Sequence, residues 1–206
     1  KGEAAAVWRS NQAKTAAPAP KGKKASAKTT IMPDFIPFQL CQSADRPPSG
    51  GDWGHEIKFD GYRMQLHIRG GKGTLRTRKG LDWSARYPEI AAAGGGLKDA
   101  ILDGEIVALD ENGSPDFAGL QAAMSDGKTG NLIFFVFDLL FAGGEDLRDL
   151  SLSERKSRLQ AWLKPLKGAA AQRIRFVEHF ETAGESVLAS ACRMDLEGIV
   201  SKKLDA

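Results

Sequence analysis

Residues 131–144 read NLIFFVFDLLFAGG, the most apolar run in the chain. No run approaches the 18 or so apolar residues that a membrane-spanning helix requires, so a central strand is expected here. The remaining segments supply its neighbours. EIKFDGYRMQLHI and TLRTRKG flank Gly70-Gly71-Lys72-Gly73, a hairpin signal. AILDGEIVALD reads as a strand that ends in a turn at Glu111-Asn112-Gly113, and IRFVEHF and GIVSKKL read as the last strands. Between them, RYPEIAAAGGGL has proline for a first helical turn and glycines to end it, and DFAGLQAAMS has helical spacing. SLSE at 151–154 and TAGE at 182–185 predict capped helices through Trp162 and Met194. Antiparallel hairpins mixed with helices indicate an α+β fold, not a doubly wound sheet.

The chain has 206 residues, 42% of them hydrophobic, enough for one sizeable core. Its net charge of +3 is unevenly spread. Residues 1–30 hold seven Lys/Arg and one acid, a balance of +6, which leaves 22 basic and 25 acidic residues, −3, for the rest. Nucleic-acid binding by the folded body must therefore rest on local patches and not on bulk charge. Residues 10–30 are rich in Ala, Pro, Lys and Ser and cannot bury enough surface to offset chain entropy, so 1–30 reads as a basic low-complexity linker ahead of a domain over 31–206. Residues 31–53 carry aromatics and prolines and read as an extended lead-in lying on the core. The chain lacks an initiator Met and a signal peptide and reads as a piece of a longer protein. Cys41 and Cys192 have no metal-ligand spacing, which suggests reduced thiols in the cytoplasm. His55, His67 and His179 are scattered, so no zinc site is expected. Trp8, Trp53, Trp83 and Trp162 read as packing residues, with Trp83 alone placed where DNA could lie.

HEIKFDGYR at 55–63 sets a lysine among strand residues. Read as a strand, this stretch puts Glu56, Lys58, Asp60 and Tyr62 on one face, and Ile57 and Phe59 pack into the core. Gly61 marks a bulge or a close approach. Lys58 is then either a nucleophile, activated by neighbouring cations or burial, or a surface lysine paired with Glu56 or Asp60.

Lys58-Phe-Asp60-Gly61-Tyr-Arg63 resembles the KxDGxR signature of the covalent nucleotidyltransferases: DNA ligases, RNA ligases and capping enzymes. Four more blocks follow in the family's order: TRKG at 77–80, DGEIV at 103–107, FFVFDLL at 134–140 and EGIVSK at 197–202. Their wording is similar to the adenylation domain of bacterial end-joining DNA ligases of the ligase D type, whose fold is an ATP-grasp-like arrangement of mostly antiparallel sheets with flanking helices. The resemblance implies an ATP-dependent DNA ligase. Lys58 would attack the α-phosphate to form lysyl-AMP, the AMP would pass to a 5′-phosphate, and the 3′-hydroxyl would seal the nick. An RNA ligase, a GTP-using capping enzyme and an inactive DNA-end-binding module are the alternatives.

Carried over by position, Arg63 and Glu105 are expected at the ribose hydroxyls and Phe137 on the adenine. Glu56, or backbone beside it such as Ile57, is expected at the adenine amino group, and Lys202 near the α-phosphate. Glu197 and Asp60 are expected to hold Mg²⁺, with Mn²⁺ as substitute. Arg78 should either touch the nick phosphate or form a cross-strand ion pair. The resemblance further implies a monomer acting in the bacterial cytoplasm on nicked or broken duplex DNA, with no membrane association. An upstream phosphoesterase or polymerase module and a DNA-end-binding protein are the expected partners. The family's fifth motif and OB-fold are absent from this chain and are expected beyond Ala206.

Overall fold

The computed structural model describes residues 30–206, so apart from Thr30 the linker expected over 1–30 lies outside the described residues. The strands in chain order are β1 (Trp53–Ile57), β2 (Tyr62–Arg69), β3 (Lys72–Thr77), β4 (Ala100–Val107), β5 (Ile133–Ala142), β6 (Glu145–Asp146), β7 (Ile174–Phe176) and β8 (Ile199–Lys203). The helices are α1 (Pro88–Gly94), α2 (Phe117–Asp126), α3 (Leu152–Leu163), α4 (Gly168–Arg173) and α5 (Gly184–Arg193).

β5 is the central strand that its composition requires. β4 runs antiparallel along one edge, while β6 and a parallel β7 share the other. The main sheet has the order β3-β2-β4-β5-β6, with β7 on β5. The β2–β3 hairpin turns at Gly70 and Gly71, both at positive φ, where a side chain would be disfavoured. One sheet face packs Met64, Leu66, Ile68, Leu75, Leu102, Ile106, Phe134 and Val136 against Ile90 of α1, Leu120 of α2 and Leu159 of α3. Each such side chain contributes roughly 1.5–3 kcal/mol on burial. Trp83 and Trp162 pack at the margin of this core, as the sequence suggested. The lead-in lies on the opposite face: Ile36 is buried against Ile101, Leu140 and Phe141.

Two helix starts differ in detail. Ser151 caps α3 by accepting the Glu154 N–H at 3.3 Å, but the Glu154 carboxylate turns to Arg158 instead of closing the box. α5 begins after Ala183 with no side-chain cap, so Thr182 does not play the part its sequence suggested. Helix α4 and the parallel placement of β7 were not foreseen.

The larger correction falls on residues 56–63. They do not form one strand. β1 ends at Ile57 and pairs with β8 in a separate two-stranded sheet, while β2 begins at Tyr62 in the main sheet. The expected faces are inverted as well: Glu56 is buried, Ile57 is half-buried, and Phe59 stacks on Phe135, with ring centroids 4.3 Å apart and planes at 15°, instead of entering the core. Gly61 permits the crossing, because a Cβ there would collide with the Ile106 carbonyl oxygen at the end of β4. Backbone cannot yield as a side-chain tip can. Gly61→Ala is therefore expected to cost about 1–3 kcal/mol, the usual penalty for overpacking, read as a lowered thermal unfolding midpoint.

Candidate active site

The crossing between the two sheets gathers the charged side chains. The Lys58 N–H donates to the Gly198 carbonyl at 3.0 Å, which seats the crossing against the start of β8. The Lys58 ammonium pairs with Oε1 of Glu197. Both side chains are substantially exposed, at 46% and 40%. A pair this wet contributes about 0.2–1 kcal/mol and opens readily to an incoming ligand.

From the main sheet, Arg63 of β2 stands opposite Glu105 of β4 in the strand register. Arg63 is clamped by Asp103, with Nε–Oδ1 and Nη2–Oδ2 at 3.2 and 2.9 Å, a forked charge-assisted pair. A third bond runs from Arg63 to the Gln39 carbonyl at 2.7 Å. The β4–β5 register shifts between Asp103 and Gly104, so that Asp103 opposes Asp138 while Gly104 opposes Val136. Phe137 is the extra residue of this bulge, which re-aims its side chain. Its ring lies 5.2 Å from the Arg63 guanidinium and 4.2 Å from the Lys202 ammonium. Phe134 went into the core, whereas Phe135 and Phe137 stayed half-exposed on the site face.

From the small sheet come Glu56 and Lys202. Glu56 is 3% exposed and carries two lysines, Lys156 on Oε1 and Lys202 on Oε2, the latter at 2.5 Å. Lys156 of α3 is 2% exposed and also donates to the Val177 carbonyl at 2.9 Å. Burial in this cluster pulls its ammonium below the usual lysine range, against the opposing charge of Glu56.

Burial pushes the Glu105 carboxyl up to about 8, against the pull of Arg63, and the Asp103 charge adds to the rise. The folded chain then holds this proton through a range where the unfolded chain, at 4.5, has released it. The Glu105 contribution to stability is complete at acid pH and is lost as pH rises toward 8. Glu105→Gln removes that slope, so the variant's unfolding midpoint should gain on the wild type from about pH 5 to about pH 8.

Of the residues singled out from sequence, the structure thus brings Glu56, Lys58, Arg63, Glu105, Phe137, Glu197 and Lys202 into one cluster. Ile57 opposes Ile199 at its edge. Asp60 is exposed within the crossing. Arg78 is exposed in the turn after β3, and among the described residues neither an ion pair nor a hydrogen bond ties it to the cluster or to a facing strand. Asp103 and Lys156 carry no role in the sequence reading, and Phe59, expected in the core, stacks on Phe135 instead. Asp103 stood inside the quoted DGE block, but its clamp on Arg63 needs the β2–β4 register to be seen. The histidines serve separate partners: His55 meets Ser201 at 2.8 Å, His67 meets Gln65 at 3.1 Å, and His179 meets Glu181 at 3.2 Å.

Among the described residues no three His, Cys, Asp or Glu side chains gather into a metal cage. Glu197, paired with Lys58, and Asp60, two residues along, are exposed carboxylates. That donor set fits a Mg²⁺ ion that shares phosphate oxygens and water, and does not fit a fully protein-ligated ion.

Two sheets joined at a lysine-bearing crossing, with antiparallel strands and flanking helices, give the α+β class expected from the sequence. Residues 38–206 match the family model of the ATP dependent DNA ligase domain, and the chain belongs to that family. It is 41% identical over 198 residues to the multifunctional non-homologous end joining protein LigD of Pseudomonas aeruginosa, covering 95% of this chain and 23% of that protein. It is 33% identical over 185 residues to the bifunctional non-homologous end joining protein LigD of Bacillus subtilis, covering 78% of this chain and 30% of that one. The chain thus spans less than a third of either relative's length. Among solved structures it resembles mycobacterial DNA ligase D complexed with ATP and MES, with a TM-score of 0.66 and 29% identity over 75% of this chain and 49% of that chain. The ligase domain of LigD from M. tuberculosis gives a TM-score of 0.64 at 28% identity, over 75% of this chain and 48% of that chain. Among the described residues no helix is long and apolar enough to cross a membrane.

Proposed function

We propose that this domain captures AMP from ATP on Lys58 as the first step in sealing broken DNA strands. The observation that carries the reading is the convergence of Glu56, Lys58, Arg63, Glu105, Phe137, Glu197 and Lys202, drawn from four separate segments of the sequence, at one crossing between two sheets.

The neutral Lys58 amine attacks the α-phosphorus. A P–N bond forms, the bond to the bridging oxygen breaks, and pyrophosphate leaves. Glu197, already hydrogen-bonded to Lys58, is the carboxylate at hand for the proton that the amine sheds. In this reading Arg63, aimed by Asp103, and Glu105 across the strand pair take the ribose hydroxyls, and Phe137 takes the face of the base. Glu56 accepts from the adenine amine, and Lys202 exchanges Glu56 for the α-phosphate. Cations about those oxygens stabilise the charge that spreads in the transition state. Mg²⁺ or Mn²⁺, held by Glu197 and Asp60 together with the nucleotide, supplies further charge neutralisation when bound. A 5′-phosphate oxygen then displaces Lys58 from the AMP, and a 3′-hydroxyl displaces AMP to seal the strand. Exposed Arg78 is the candidate for the nick phosphate. The name of the multifunctional relative supports action within a longer polypeptide; a neighbouring phosphoesterase or polymerase module, a DNA-end-binding protein as partner and a bacterial cytoplasmic setting complete the proposal.

Incubation of the polypeptide carrying this domain with α-labelled ATP or GTP and Mg²⁺, followed by denaturing electrophoresis, tests the proposal. Label from ATP is expected. Label from GTP alone would point to capping chemistry, and label from neither would leave a binding module.

A further inference from the structure

Lys156 has no part in the mechanism above, yet it is among the most deeply buried side chains of the chain. It projects from α3, where Leu152, Arg155, Lys156 and Leu159 form the buried stripe. The neighbouring cation is accounted for: Arg155 forks onto Asp138 at 2.9 and 3.1 Å. Lys156 instead reaches Oε1 of Glu56, donates to the Val177 carbonyl and lies 5.0 Å from the centre of the Phe176 ring. The other oxygen of Glu56 is held by Lys202, a less buried partner, 22% exposed.

The two lysines are therefore not equivalent. Lys156 is locked by α3 and β7, whereas Lys202 sits at the wet edge, the side on which the proposed function puts the phosphates. We infer that Lys156 is a positioning residue for base selection: it fixes one oxygen of Glu56, so that the other is presented to the exocyclic amine of adenine when Lys202 turns to the phosphates. The inference rests on the nucleotide-site reading above. Without Lys156, Lys202 would be the only cation left on a buried carboxylate. Glu56 would then either keep Lys202 or take up a proton, and in both cases the acceptor for the amine is lost.

Equilibrium binding of ATP and of purine riboside triphosphate, which lacks the 6-amino group, reads this directly. A hydrogen bond to a charged acceptor predicts a wild-type preference for ATP of about 10- to 100-fold. In Lys156→Met the preference should collapse to less than about threefold. Lys156→Arg, which keeps the cation, should retain part of it, and Lys156→Gln should fall between Arg and Met. Lys202→Met, which acts on the phosphates, should weaken both ligands together and keep the ratio. Unfolding midpoints measured alongside separate folding from selection, and the Arg and Gln variants serve if the Met variant does not fold. A folded variant series that keeps the wild-type ratio while only its midpoint falls would overturn the positioning role. A wild-type protein that binds neither triphosphate would instead overturn the nucleotide site itself.

Discussion

Lys58→Arg is expected to take up no measurable label from ATP, a fall of at least about 10⁴-fold, the scale seen when a covalent nucleophile is removed. Arginine keeps the charge and can still meet Glu197, but its guanidinium does not deprotonate to a nucleophile at usable pH. Because the Lys58–Glu197 pair is half in solvent, stability should move by less than about 1 kcal/mol. Loss of chemistry with an unchanged unfolding midpoint separates a nucleophile from a surface lysine. Residual labelling within tenfold of the wild type would assign the reaction to another residue.

The second large effect concerns stability. Glu56→Ala removes the carboxylate hydrogen-bonded to Lys156, leaving that ammonium buried against the Val177 carbonyl and the Phe176 ring. Breaking a buried pair from one side costs about 3–5 kcal/mol. Denaturant unfolding should show a loss of that size. The double change Glu56→Ala with Lys156→Met should recover a large part of it, because no buried charge then stands alone. A single-variant loss under about 1 kcal/mol would mean that water already reaches this pair.

What the sequence made legible followed from local chemistry. The Gly70–Gly71 turn, the Pro88 helix start, the Asn112–Gly113 turn and the apolar run of β5 each announce themselves within a few residues. The order of the motif blocks indicated which charged residues would meet. What was hidden depends on distant pairing. EIKFDGYRMQLHI alternates well enough to pass for one strand, and only the partners β8 and β4 show that it is two, in different sheets. Local alternation cannot report a change of sheet when the break occupies four residues. Phe135 and Phe137 were separable from Phe134 by parity, but the bulge that turns Phe137 outward depends on β4. Lys156 lay in ERKSRL, inside the helix that SLSE at 151–154 predicts, where nothing local marks which charged residues turn inward. Two of them, Arg155 and Lys156, face inward because Asp138 and Glu56 wait there, 17 and 100 residues away in sequence.

Peptide mapping by mass spectrometry after incubation with ATP and Mg²⁺ addresses the nucleotide chemistry most directly. One adenylate on the side-chain nitrogen of Lys58, attached through an acid-labile P–N bond, is the result expected. An adenylate on any other residue, or a stably bound nucleotide with no covalent product in the polypeptide carrying this domain, would contradict it.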